Sequence, residues 1–192
     1  MFTSRTLAAA AAAALLTMGA LSTAVPASAS TSALPTPALQ TCTGASLLGT
    51  GTTQTFSPGL KNEPAKITTQ TTSKLPCVGV PLGQTANLSV TSTRVQSCTE
   101  LLTTSTGSKQ IVWNNDQART STFNYTRTVV RAEGTTTITF DGVLTSDSKV
   151  FPGARALETV VAANTDLDKC SSSTGLTQIT YLLDELVIGK VA

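Results

Sequence analysis

Acidic side chains are the groups in this chain best placed by type and spacing to do chemistry. Histidine is absent. That removes Ser-His-Asp and Cys-His nucleophilic schemes, His-ligated zinc and the usual general base. Two acidic pairs stand close in sequence, Asp184-Glu185 and Asp166/Asp168. A glycosidase needs two carboxylates flanking a cleft, about 5–10 Å apart, and sugar rings favour aromatic platforms. One Trp and two Tyr supply few such platforms. Asp184-Glu185 is therefore expected at an exposed strand end, following the surface bias of carboxylates. Asn164-Thr165-Asp166-Leu167-Asp168 sets oxygen ligands at alternate positions, as a calcium loop does, but lacks the turn glycine and the closing glutamate. A solvated polar loop is the expectation there. No catalytic residue, metal ligand or cofactor is assigned.

The four cysteines, Cys42, Cys77, Cys98 and Cys170, form no C-x-x-C pair that would suggest redox work or zinc. An even number in an exported chain implies two disulfides. Trp113 is the lone tryptophan, and a lone Trp in a β domain is expected in the core.

The compartment is read from residues 1–29. Arg5 precedes an apolar run from Leu7 to Leu16, followed by Pro26 and the triplet Ala27-Ser28-Ala29. This is the order of a secretory signal peptide, and the apolar run is short for a spanning helix, which needs about 20 residues. Cleavage after Ala29 would release a secreted, extracellular protein with no membrane attachment. Residues 30–40 (STSALPTPALQ) read as a flexible leader, and 41–192 as one domain large enough for a real core. The chain holds 13 Lys and Arg, Arg5 among them, against 11 Asp and Glu. These charges form no basic stripe, so neither nucleic acid nor an anionic membrane is the expected partner.

Threonine is the most frequent residue; it is β-branched, favours strands and faces water without charge. Turn signals cut the chain at short intervals, and the pieces between them alternate with period two. Ala45–Phe56 is a first strand, stopped by Ser57-Pro58-Gly59. Ala65–Ser73 places Ile67, Thr69 and Thr71 on one face. Thr85–Cys98 and Gln110–Trp113 follow, and Asn114-Asn115-Asp116 turns. Ser121–Arg131, with Phe123, Tyr125 and Val129 on one face, and Thr135–Thr145 form the clearest hairpin. Arg155–Ala163 and Leu176–Ile188 complete about eight strands. The predicted fold is all-β, an Ig-like antiparallel β-sandwich with two disulfides. Too few aromatics are present to fill a wide ligand-holding barrel. If successive strands alternate in direction, Cys42 and Cys77 share one end of the domain while Cys98 and Cys170 share the other. Bridged Cα atoms lie within about 7 Å, so strand parity predicts Cys42–Cys77 and Cys98–Cys170.

Several stretches together resemble a group of small secreted, Thr-rich actinobacterial proteins of uncharacterised function. They are Phe56-Ser57-Pro58-Gly59-Leu60, Ser97-Cys98, Ile111-Val112-Trp113-Asn114-Asn115, Phe123–Val130, Thr139–Thr145 with Phe151-Pro152-Gly153, and Cys170 with Gly175-Leu176-Thr177. The resemblance implies an extracellular Ig-like sandwich and brings no activity or site residues. The expected function is a secreted binding or structural module, its ligand drawn from cell wall, polysaccharide or protein. Contacts are expected on loops such as Asn114–Asp116 and Ser146–Gly153, where turns expose polar groups. A secreted hydrolase acting through carboxylates, or a protease-inhibitor-type effector, is the alternative.

Overall fold

The computed structural model describes residues 38–189; the expected signal peptide, 1–29, and residues 30–37 of the expected leader lie outside the described residues. Ten strand segments are present: β1 (Ala38–Ala45), β2 (Gly51–Leu60), β3 (Ala65–Gly79), β4 (Thr85–Gln96), β5 (Ser105–Trp113), β6 (Thr120–Arg131), β7 (Thr135–Leu144), β8 (Arg155–Ala163), β9 (Leu176–Thr180) and β10 (Leu183–Gly189). All pairings are antiparallel, and neighbours in sequence are neighbours in space from β2 through β8.

The sheet closes on itself. β1 pairs with β10 from Ala38 to Ala45 and, on its other side, with β3 through Gln40–Cys42 against Cys77–Gly79. β2 continues β1 in the same direction, pairing with β3 on one side and β9 on the other. β1 and β2 thus act as one kinked strand, as do β9 and β10. The ten segments make an eight-stranded up-and-down barrel, not the Ig-like sandwich that the sequence suggests. Two sandwiched sheets would leave the first and last strands as edges, whereas here they pair with each other.

Chain connectivity explains the kink. A 3-10 turn at Ser46–Leu48 bulges out between β1 and β2. Gly44 packs against the returning chain, where a Cβ would come within 2.6 Å of Gly51 Cα and of Leu75. The strand then runs on through Ser57-Pro58-Gly59 to Leu60, so that tripeptide does not stop it. Residues 38–40 of the expected leader instead open β1. Gln40 is fully buried and donates from Nε2 to the Pro81 carbonyl at 2.5 Å.

The period-two patterns decide which side chains enter the barrel. Apolar ones gather at its two ends. One end holds Phe56, Ile67, Ile138, Val160, Leu176 and Ile179 with the Cys98–Cys170 disulfide. The other holds Leu75, Ile111, Trp113, Phe123, Leu144 and Ile188 with Cys42–Cys77. The bonds are those strand parity gives, because the kinked β1–β2 counts as one strand in the alternation. Trp113 is fully buried; its Nε1 donates to Ser121 Oγ at 2.9 Å, and Phe151 meets it edge-on at 5.1 Å.

Closure fails at one place. β4 and β5 pair only at Ala86–Trp113 and Asn87–Val112. Between them the chain makes the short helix α1 (Cys98–Leu101), closed by a capping box in which Ser97 and Glu100 satisfy each other's backbone N–H. Cys98 is bonded to Cys170, and its N–H donates to the Lys61 carbonyl at 2.8 Å. These ties fix α1 on the barrel end, with Leu101 buried in the plug. The remaining lengths of β4 and β5 stand apart.

The longer disulfide spans 72 residues and the shorter 35. The chain-entropy model gives roughly 4 kcal/mol for the longer bond and about 0.6 kcal/mol less for the shorter. Urea unfolding of the Cys98→Ser/Cys170→Ser and Cys42→Ser/Cys77→Ser variants is expected to show the greater loss in the first. The reverse order would refute loop closure as the source of the stabilisation.

Candidate functional site

Between the two apolar ends lies a polar layer. Four strands send ionisable side chains inward in it: Lys109 from β5, Tyr125 and Arg127 from β6, Glu158 from β8 and Asp184 from β10, with Arg94 on β4 beside the gap. Each sits at an inward position of its strand pattern, such as Ala156-Glu158-Val160-Ala162 on β8, where its apolar neighbours are buried.

The layer surrounds a cavity of about 240 Å³ that opens toward the β4–β5 gap. Thr52, Gln54, Thr69 and Thr71 form one wall, Leu88 and Val90 the second, and Tyr125, Phe140, Glu158 and Tyr181 the third. Polar groups in the walls are mostly committed. Tyr181 donates to Gln54 Oε1 at 3.2 Å, and Gln96 Nε2 donates to Thr69 Oγ1. Burial pushes the Tyr181 phenol above its usual range, and the negative charges of Asp184 and Glu158 push the same way.

Lys109 and Glu158 form a buried ion pair. The ammonium also lies 4.2 Å from the centre of the Phe140 ring and 5.6 Å from those of Phe123 and Tyr125. A desolvated ammonium is thus held by a carboxylate and by aromatic faces at once. Tyr125 takes its place because Gly107 lies beneath it; a Cβ there would meet the phenolic oxygen at 2.6 Å. Phe140 packs edge-on against Tyr125 at 4.9 Å.

Asp184 stands behind the Thr52 wall. It is fully buried, which corrects the expectation of an exposed strand end. Oδ2 accepts the Thr52 hydroxyl, and Oδ1 has no partner among the described residues. Burial and then the Glu158 charge push its pKa up to about 7, against the pull of Thr52 and Lys109. Glu185 pairs with Thr159 on the strand and takes the opposite face, so the two adjacent acids do not share a site. Asp166 is ion-paired with Lys169 at 2.8 Å in the helical segment that follows β8. Asn164 accepts from Thr136 Oγ1 at 2.6 Å and donates to the Ala132 carbonyl at 2.8 Å. Asn164 and Asp166 are therefore engaged in a hairpin contact and a helical turn, Asp168 is exposed at the start of the 3-10 segment Asp168–Ser171, and no group of three potential metal ligands occurs among the described residues.

The two loops expected to make contacts are each tied to the barrel by hydrogen bonds. Asn114 accepts the Thr85 N–H at 2.7 Å, which locks its turn to β4. In the second loop Ser148 Oγ accepts the Thr122 N–H at 3.0 Å, the Val150 carbonyl accepts from Ser121, and Phe151 covers Trp113. That loop is a lid on the barrel end. Glu158, Lys109 and Arg127 are site residues that sequence reasoning passed over. For Glu158 and Arg127 the signal was present, since each interrupts an inward-facing apolar alternation with a charge; Lys109 follows Ser105 and Gly107 on its face and carries no such signal.

Compared with known protein families, curated proteins and solved structures, the chain matches none.

Asp184 binds a proton more readily in the folded chain than in the unfolded one, so stability falls as pH rises from about 4 to about 7. The full loss is on the order of 4 kcal/mol for a shift of this size. Urea unfolding across this range is expected to show the decline in the parent protein and a flatter profile in Asp184→Asn; superimposable profiles would count against it. The ion pair gives a second expectation. Lys109→Met or Glu158→Gln, each stranding a buried partner, is expected to cost about 3–5 kcal/mol, and the double variant Lys109→Met/Glu158→Leu to recover most of it. Additive losses in the double variant, read by the same unfolding experiment, would show that the two side chains are not coupled.

Proposed function

We propose that the protein is a secreted, extracellular binding module whose ligand occupies the mid-barrel cavity and enters through the gap between β4 and β5. The observation that carries this reading is the cavity itself: a concave, partly aromatic space inside a rigid barrel, with a lateral opening where the wall lacks hydrogen bonds. Concave pockets are the usual form of small-ligand sites, and this one sets hydroxyl, amide and charged groups beside the apolar surface of Leu88, Val90, Ile138 and Phe140. The paired cysteines fit an oxidising environment, and the signal-like segment 1–29 supports export. No helix among the described residues is long and apolar enough to cross a membrane.

Binding is favoured over turnover by the state of the wall. Hydrolysis by carboxylates needs two acids on one cleft. This cavity presents Glu158, which is ion-paired, while Asp184 lies behind Thr52. The volume suits a compact organic molecule. A cell-wall polymer, polysaccharide or protein would reach it with a single end group.

Val90 lines the cavity from the wall beside the gap, so Val90→Trp would fill it without touching the charged layer. Parent and variant are incubated with the small-molecule fraction of culture medium, re-isolated and denatured, and the released compounds are identified by mass spectrometry. Compounds retained by the parent and lost from Val90→Trp are expected. Equal retention by both would overturn the reading.

A further inference from the structure

We infer that the cavity is built for an organic anion, its acidic group held at the gap by Arg94 and Arg127 and its apolar body lying inward. The inference rests on the cavity-binding reading and adds the ligand's charge. Lys109 is neutralised by Glu158, so it offers no net charge to a ligand. Arg94 and Arg127 differ. Both line the cavity and both line the adjoining cleft in the gap, and neither has a carboxylate within ion-pair distance among the described residues. Glu100, the acid of that cleft, turns its Oε2 onto the Ser97 N–H at 2.8 Å.

Arg127 is held in place by backbone. Its Nη2 donates to the Glu100 carbonyl at 2.5 Å and the Thr103 carbonyl at 3.0 Å, and Nε to Thr103 at 3.3 Å. Nη1 makes no hydrogen bond among the described residues. Arg94 is steadied by Nε donating to Gln96 Oε1 at 3.3 Å. The two guanidinium groups thus share one opening; burial, and then the charge of Arg94, act against the protonated form of Arg127, while Tyr125, Tyr181 and Glu100 favour it. Two cations face one acid here, and that acid is ion-paired with neither, so a further anion in the opening is favoured. A planar carboxylate, sulfonate or phosphate accepts paired N–H groups from arginine. Inward of the arginines, Leu88, Val90, Tyr125 and Phe140 offer an apolar bed.

A matched pair of dyes tests this: N-phenyl-1-naphthylamine, which is neutral, and 8-anilinonaphthalene-1-sulfonate, the same skeleton with one anionic group. Both gain fluorescence in an apolar site. With the disulfide-bonded protein, the sulfonate is expected to bind at least tenfold more tightly than the neutral dye, and less so at high salt. Arg94→Gln and Arg127→Gln should each weaken the sulfonate about tenfold, as loss of one charge-assisted hydrogen bond does. The neutral dye should be unaffected. Lys74→Gln, an exposed charge on β3, controls for net charge and should change neither. Equal affinity for the two dyes, or a sulfonate preference that survives in Arg94→Gln/Arg127→Gln, would overturn the anion inference while leaving cavity binding in place. Failure of Val90→Trp to reduce neutral-dye binding, or no binding of either dye, would overturn both.

Discussion

β1 holds hydrogen bonds on both of its sides, to β10 along its length and to β3 through Gln40–Cys42, and this double pairing closes the sheet. Closure fixes the width of the interior and makes every inward side chain answer to one opposite it. Apolar residues satisfy that demand by packing, so they occupy the ends, where a disulfide joins each plug. Polar residues satisfy it only by finding partners. The middle layer is where they do so, through Lys109–Glu158, Thr52–Asp184, Gln96–Thr69 and Tyr181–Gln54.

The division of labour follows from energetics. Burying Leu, Ile or Phe contributes about 1.5–3 kcal/mol per side chain, and the fully buried Ile111, Phe123, Leu144, Leu176 and Ile188 supply this at the two ends. A buried ion pair adds little net stability, because desolvation offsets most of its attraction. Its persistence in the centre of the barrel is better understood as shaping the site: the pair pins Phe140, Tyr125 and Glu158 into one wall.

Strand content, alternation and disulfide partners were legible in the sequence because each depends on local pattern or on parity. Phe123, Tyr125 and Val129 do share a face, and Trp113 is core. Whether the first and last strands meet each other is a long-range property with no local signature, and so the barrel was missed. Aromatic content misled for a physical reason: aliphatic side chains and cystines supply most of the filling at both ends, beside Phe56, Trp113 and Phe123, so three aromatics, Tyr125, Phe140 and Tyr181, suffice to line the middle. The site was half visible. Arg127, between Tyr125 and Val129, and Glu158, between Ala156 and Val160, break the pattern of their faces. Without closure, nothing said that those faces point at one another. The surface bias of carboxylates treats Asp184 and Glu185 alike, although successive strand residues point to opposite sides, and Asp184 is the one that faces inward.

The incomplete ladder between β4 and β5 also changes what kind of object the barrel is. A fully closed barrel has no strand edges and cannot recruit another strand. This one carries two edges that face each other across the slit, from Leu88 to Gln96 and from Ser105 to Ile111. Free edges template pairing with foreign chains unless they are blunted. Here Arg94, Lys109 and the plug residue Leu101 crowd the slit, and the Cys98–Cys170 bond fixes the connection between its two sides. Reduction of that single bond would therefore release more than a loop. It would free the connection that holds both edges, and turn the slit into a surface competent for aggregation.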